Sequence, residues 1–319
     1  MEDLVSVSID NQTEQHSATS FDEFREILKH LQGAPTWNNR LIYRGHAKAE
    51  YRLMPTLDRI VEKINKRPRE ATTGGTGLIH SRKSAEGWFL TEFRRAVHHH
   101  HQVAIKDDDI LGWLALMQHH GSPTRLLDWT LSPYVALHFA VQPAEQECAV
   151  WVYNPPTLHE VLAGVEDWTN AIAEHQMGLM RDQVEKLKTL NGDIEIKHEA
   201  INIMLRLGVG EKLLVAPAIR PFQLNLRVSA QQAVFVLPLA SEMPLEKCLL
   251  QTMLRSRAPG AILNKITIKD HDRDHIMREL QRMNITNETL FPGLDGYAKS
   301  LADRYELDMW VPSEQEPIR

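Results

Sequence analysis

The chain has 319 residues, 43% hydrophobic and 24% charged, enough to bury a full core in one large domain or two. Its formal net charge of −6 argues against broad, sequence-independent binding to nucleic acid, which relies on clustered cations, and leaves room only for a local basic groove. No stretch approaches the ~20 consecutive apolar residues of a membrane helix. The first twenty residues carry Glu2, Asp3, Asp10 and Glu14 without a basic start or an apolar run, so a cytoplasmic protein with no membrane partner is expected.

In chain order, Val5, Val7 and Ile9 alternate with polar residues and read as an edge strand, with the polar run to Thr19 as a loop. Ser20 and Glu23 form a capping box for a helix whose inner face is Phe24, Ile27, Leu28 and Leu31. Leu41, Ile42 and Tyr43 then make a short strand that places Arg44 at its end, with Gly45 and His46 as a turn. An arginine there has a plain alternative, a salt bridge on an exposed loop.

Residues 63–77 are basic and then Thr/Gly-rich, an exposed loop that lacks the Lys-Ser/Thr of a phosphate loop. Trp88, Phe89, Phe93, Ala96 and Val97 predict an amphipathic helix running into His98 to His101. Successive helical side chains diverge by about 100°, so only His98 and His101 share a face. One pair is too few for a structural zinc site, and no metal is expected, although a metal hydrolase that adds His119 and His120 remains an alternative.

The densest stretch runs from Gln118 to Ala140. Asp107 to Asp109 suit the start of a helix over 110–117 that ends at Gly121, and Ser132 with Pro133 starts a second helix with Val135, Ala136, Phe139 and Ala140 inward. Between them a short strand delivers Asp128, Trp129 and Thr130 to a helix start, where anionic ligands sit. The bland alternatives are that His119 and His120 are helix-end histidines, that Arg125 pairs with Asp128, and that Trp129 is core. Cys148 to Tyr153 form another strand, closed by Pro155 and Pro156. Cys148 and Cys248 lie in apolar contexts and read as free thiols rather than a disulfide. Residues 157–208 are helical in pattern, Leu213 to Ala216 return to strand, and Lys265 to Ile268 form one more. Helices over 274–283 and 297–305 follow, with Ile276, Met277, Leu280 and Leu301 facing in.

The run Gln118-His119-His120-Gly121-Ser122-Pro123-Thr124-Arg125-Leu126-Leu127-Asp128-Trp129-Thr130 resembles the signature of the FRG domain family, bacterial proteins named for a Phe/Tyr-Arg-Gly motif. Tyr43-Arg44-Gly45 supplies that motif, and Arg227 to Phe235 resembles a third block in which Ala233 stands where Gly is usual. On this resemblance residues 1–319 form a single FRG-type domain, with a motif core at 40–240, a helical insertion at 157–208 and a C-terminal α/β support at 241–319. A more distant similarity to ADP-ribosyltransferases lays Arg44 on their first-strand arginine, Asp128-Trp129-Thr130 on their Ser-Thr-Ser strand, and Gln231 and Gln232 where they carry Glu.

The resemblance implies an α+β fold with a mixed, mainly antiparallel central sheet, flanking helices and a helical insertion. It implies a nucleotide or dinucleotide ligand, NAD as substrate, and an unidentified macromolecular acceptor, loosely in bacterial stress or phage defence. Arg44, Asp128, Thr130 and Gln232 would be catalytic. Arg44, Gly45, His119, His120, Arg125, Trp129 and Gln231 would bind the ligand. A non-catalytic nucleotide sensor or interaction domain is the alternative from another class.

Overall fold

The Ser20 hydroxyl accepts the Glu23 N–H at 3.2 Å, while the Glu23 carboxylate reaches one residue further back, to the Thr19 N–H at 2.7 Å. The cap starts helix α1 (Phe21–Gly33), which buries Phe24, Leu28 and Leu31. The computed structural model describes residues 9–33, 41–67, 81–100, 104–155, 194–207, 214–220, 226–255, 262–269 and 272–307.

Among the described residues seven strands form one sheet: β1 (Thr13–Ala18), β2 (Ile42–His46), β3 (Leu127–Thr130), β4 (Cys148–Tyr153), β5 (Ala218–Ile219), β6 (Ala233–Val236) and β7 (Leu263–Ile268). Their order is β1-β7-β4-β2-β3-β6-β5; only β1 and β7 pair in parallel. The fold is therefore α+β with a mixed, mainly antiparallel sheet. β1 corrects the sequence reading: it lies in the polar run expected to be a loop, and Ile9 sits in a 3-10 turn. At a sheet edge the backbone ladder to β7 supplies the pairing, so polar side chains suffice. Val5 and Val7 lie outside the described residues.

The helices are α2 (Thr56–Asn65), α3 (Arg82–Val97), α4 (Ile110–His119), α5 (Pro133–Val141), α6 (Ile194–Leu207), α7 (Leu226–Ala230), α8 (Leu245–Arg255), α9 (Arg273–Arg282), α10 (Asn287–Leu290) and α11 (Leu294–Glu306). The Asp109 carboxylate caps α4 through the Gly112 N–H at 2.8 Å. It also accepts from Asn202 of α6 at 2.7 Å, so one side chain ties two helices. Gly121 follows α4 with φ +78°, the left-handed position a glycine fills cheaply. Ser132 caps α5 and Pro133 opens it. The remainder of the expected helical insertion lies outside the described residues, as do residues 68–77 of the loop expected over 63–77 and His101, whereas Lys63 to Asn65 belong to the last turn of α2 rather than to a loop.

Two cores share one face of the sheet. One packs α1, α5 and α9 against β2, β4 and β7. The other packs α4 and α6 against the β6 end through Leu114, Met117, Ile201, Met204 and Phe235. A third covers the opposite face, with Trp129, Trp151 and Tyr153 under α8. Cys148 and Cys248 are both buried and form no disulfide among the described residues, and burial pushes the Cys148 thiol up to about 12. Among the described residues no helix is long and apolar enough to cross a membrane.

Four side chains turn the other way from the sequence reading, Ala96 of α3, which is exposed, among them. Trp88 is 61% exposed, with its ring edge-on to Phe89. Leu301 is 46% exposed because α11 packs through Gly296, Ser300 and Asp303. A Cβ at position 296 would lie 1.9 Å from the Phe291 carbonyl oxygen, so the small-residue face makes the close approach. Phe139, expected in the core, is half-buried and lines a cavity.

Candidate functional site

Strands β2 and β3 share a single paired couple, Tyr43 opposite Thr130. Carrying that antiparallel register onward would set Gly45 opposite Asp128, but no further pairing forms and the strands part. Arg44 bridges the gap: its Nη1 donates to the Asp128 carbonyl oxygen at 2.6 Å. A carbonyl that a strand ladder would have satisfied is served by a guanidinium instead. Arg44 therefore lies within β2 rather than at its end, and Gly45 and His46 continue the strand rather than turning. Glycine is required at position 45 because a Cβ would lie 2.0 Å from the Ala136 carbonyl oxygen of α5.

His46 orients the arginine from behind. Arg44 Nε donates to His46 Nε2 at 3.0 Å, so Nε2 is the unprotonated nitrogen and Nδ1 carries the hydrogen toward the Tyr51 carbonyl, 3.2 Å away. That tautomer makes the equally close Trp151 indole N–H a packing neighbour of Nδ1, because an N–H nitrogen accepts nothing. Burial, reinforced by the Arg44 charge, holds the His46 pKa down to about 3, so the ring is neutral. Burial also lowers the Arg44 pKa to about 10 against the opposing pull of Asp128, which leaves it charged at neutral pH. Among the described residues no carboxylate lies within ion-pair distance of Arg44.

A cavity of about 270 Å³ opens at this parting, between the two cores on that face. Arg44, His119, Asp128, Arg227, Gln231 and Phe139 line it, giving two guanidinium groups against one carboxylate. Gln118 Nε2 donates to Asp128 Oδ2 at 2.8 Å, and the Gln118 side-chain carbonyl is fixed by the Thr124 hydroxyl; among the described residues Oδ1 has no partner. Burial, with the charges of His120 and Arg227, lowers the His119 pKa and favours its neutral form. Thr130 lines the wall, but its hydroxyl donates to the Gln231 carbonyl at 2.6 Å and accepts the Ser132 N–H. The hydroxyl thus ties β3, α5 and the entry to β6 together rather than holding Arg44.

Several expected site residues lie elsewhere. Arg125 is buried against Glu86 in a bidentate pair, with Nε 2.7 Å from Oε1, and reaches the Pro238 and Leu239 carbonyls. It pairs with neither Asp128 nor the cavity, because it precedes β3 and leaves on the α3 side. Trp129 is among the residues lining the cavity, but its ring alternates away from Asp128 to the opposite face and packs on Tyr153, ring centroids 5.7 Å apart. His120 is the exposed cap of α4. Gln232 is exposed at φ +48°, where its carbonyl serves the Leu131 N–H, while Gln231 faces the cavity with its amide on the Leu290 carbonyl. His98, His99 and His100 are exposed beyond α3, and the described residues hold no cluster of three or more metal-ligating side chains.

Sequence reasoning passed over Arg227 as a separate cation. It sits on α7, and its guanidinium lies 4.9 Å from the Phe291 ring centroid at the cavity mouth. A basic residue four positions before Gln231 on a helical turn was the available signal.

Residues 39–148 match the FRG domain. The match contains both Arg44 and Asp128, and the FRG segment thus coincides with the parting of β2 and β3. Arg227 and Gln231 close the cavity from outside it. No curated protein and no solved structure matches the chain.

Proposed function

We propose that the FRG cleft binds the anionic part of a nucleotide and, with NAD as substrate, supports ADP-ribosyltransferase-like or NAD glycohydrolase chemistry. The observation that carries the reading is the charged, desolvated guanidinium of Arg44, which has no carboxylate partner among the described residues and lies beside the Asp128 carboxylate. A guanidinium in that state presents its fork to phosphate oxygens, and Arg227 adds a second cation at the mouth.

Cleavage of the bond between the ribose C1′ and the nicotinamide nitrogen sends the electron pair out with neutral nicotinamide and leaves positive charge on the ribose. Glycosidases meet such charge with a carboxylate held in place beforehand. Asp128 fits that role, fixed through Oδ2 by Gln118, with Oδ1 unpartnered among the described residues. Water or an acceptor nucleophile then adds to C1′, and the neutral His119 imidazole on the same wall takes its proton. A place in bacterial stress or phage defence belongs to the same proposal.

Incubation with NAD and detection of free nicotinamide tests it. Release by the wild type, lost in Arg44→Ala and in Asp128→Asn while the Asp128→Asn variant still binds NAD, supports catalysis. The second reading is a non-catalytic nucleotide sensor, favoured by the absence of any glutamate among Gln231, Gln232 and Ala233. Binding without nicotinamide release in the wild type establishes that reading instead.

A further inference from the structure

Helix α11 packs against the expectation of its composition. Gly296, Ser300 and Asp303 are its buried residues, whereas Leu294, Tyr297, Leu301 and Tyr305 are 80%, 42%, 46% and 74% exposed. At about 100° per residue those four side chains fall within an arc of about 80°, on the side of the helix away from the buried trio. Single exposed apolar residues are ordinary. Here four of the nine large exposed ones among the described residues stand in one row on one helix, and such contiguous apolar patches mark interaction surfaces.

The orientation of the helix is fixed from behind. Gly296 sits so close to the Phe291 and Asn287 carbonyl oxygens that a Cβ there would lie 1.9 and 2.8 Å from them. Asp303 Oδ2 accepts from Asn287 Nδ2 at 2.7 Å, and the Ser300 hydroxyl donates to the Tyr297 carbonyl at 2.7 Å, so the inward polar groups have partners where they stand. Turning α11 to bury its leucines would break these contacts and drive a large side chain into a gap that admits only glycine. The apolar row stays outward.

The row is complementary to itself. Its midpoint, halfway from Leu294 to Tyr305, falls between Lys299 and Ser300. A second copy laid antiparallel across that midpoint sets Tyr297 opposite the partner's Ala302, Leu301 opposite the partner's Ala298, and Leu294 opposite the partner's Tyr305. In the central turns each large side chain thus meets a small one, and both alanines are exposed beside the row. A parallel pairing would set tyrosine on tyrosine and leucine on leucine, with the helix dipoles side by side in the unfavourable sense. Asp295, Lys299 and Glu306 lie on one flank beyond the alanines, and Arg304 on the other pairs with Glu288 at 2.5 Å, so the contact traps no charge. With about 150–250 Å² for a whole tyrosine and somewhat less for leucine, the exposed fractions and the two alanines leave about 500 Å² per copy. Two copies would bury about 1,000 Å², the floor for a specific interface.

We infer that the outward row of α11 is an interface with a second copy of this chain, an antiparallel helix pair about a twofold axis between Lys299 and Ser300.

Sedimentation velocity of the full chain over a range of concentrations tests it. A dimer is expected, half-formed on the order of 10 µM because interfaces near that floor are weak. Leu301→Glu should raise that midpoint at least about tenfold and leave the thermal unfolding of the dilute monomer unchanged. A mixture of Ala298→Cys and Leu301→Cys chains should form an intermolecular disulfide on oxidation faster than either variant by itself, because the register sets 298 against 301. Cys148 and Cys248 are buried and do not compete. A chain that stays monomeric up to about 1 mM, or a dimer that Leu301→Glu leaves intact, overturns the inference. Cross-linking of each single variant as fast as the mixture overturns the antiparallel register. A monomer that Leu301→Glu destabilises overturns the interface as well, and makes residues 308–319 of the same chain the cover.

Discussion

Arg44 Nη1 donates to the backbone carbonyl of Asp128 over 2.6 Å at the point where β2 and β3 separate. The contact joins two separate strands of the segment that matches the FRG domain, and it makes the guanidinium part of the sheet as well as of the cavity wall. A lysine has no rigid fork to reach both His46 Nε2 and the Asp128 carbonyl. Arg44→Lys is therefore expected to lose about 1–3 kcal/mol of stability in urea denaturation, the cost of leaving a buried polar group unserved. Wild-type stability in that variant would show that the bridge is dispensable.

Gly45→Ala is expected to be more damaging than its size suggests. The added methyl meets backbone on α5, at 2.0 Å from the Ala136 oxygen and 2.7 Å from the Ala140 nitrogen, and no side-chain rotation relieves it. Overpacking costs about 1–3 kcal/mol where side chains can adjust, and this site should lie at or above the top of that range. Thermal unfolding reads the loss.

The Arg125–Glu86 pair gives the opposite pattern, a stability effect without a binding effect. Removing one partner of a buried ion pair costs about 3–5 kcal/mol, whereas replacing both by apolar side chains is often neutral. Arg125→Met alone should destabilise strongly, Arg125→Met with Glu86→Leu should recover most of the loss, and pyrophosphate affinity should stay at the wild-type level in the double variant. A double-mutant cycle with denaturation and titration arms checks both halves.

His46 and His138 set the response to acid. Burial depresses both rings below the ordinary histidine value of 6.5, to about 3 and about 4. In the unfolded chain they take up protons first, so below about pH 6.5 the unfolded state binds more protons and stability falls as the pH falls. Each ring contributes up to about 1.4 kcal/mol per pH unit between its unfolded and folded pKa. Urea midpoints should drop from about pH 7 to about pH 5, and His46→Gln should flatten the slope. A midpoint that rises on acidification would contradict the assignment of neutral rings.

The elements that pattern and caps specify locally were legible in the sequence. Ser132-Pro133 starts α5, Asp109 and Gly121 bound α4, and Cys148 to Tyr153 form a strand, as expected. What depends on pairing across the chain was not legible. β1 is polar and owes its existence to β7, the packing side of α11 is decided by Gly296 rather than by its leucines, and Arg125 found a partner in Glu86, 39 residues upstream. The cavity follows the same division. Arg44 and Asp128 were named from motif residues, whereas Arg227 joins them only once α7 packs beside β6 and α10.

The central claim is that Arg44 anchors an anion where the two strands part, and pyrophosphate titrated by calorimetry into wild type and Arg44→Ala addresses it most directly. The account predicts binding to the wild type and a loss of at least about tenfold in the variant, with circular dichroism confirming that both are folded. Equal affinity in the two folded proteins would contradict it.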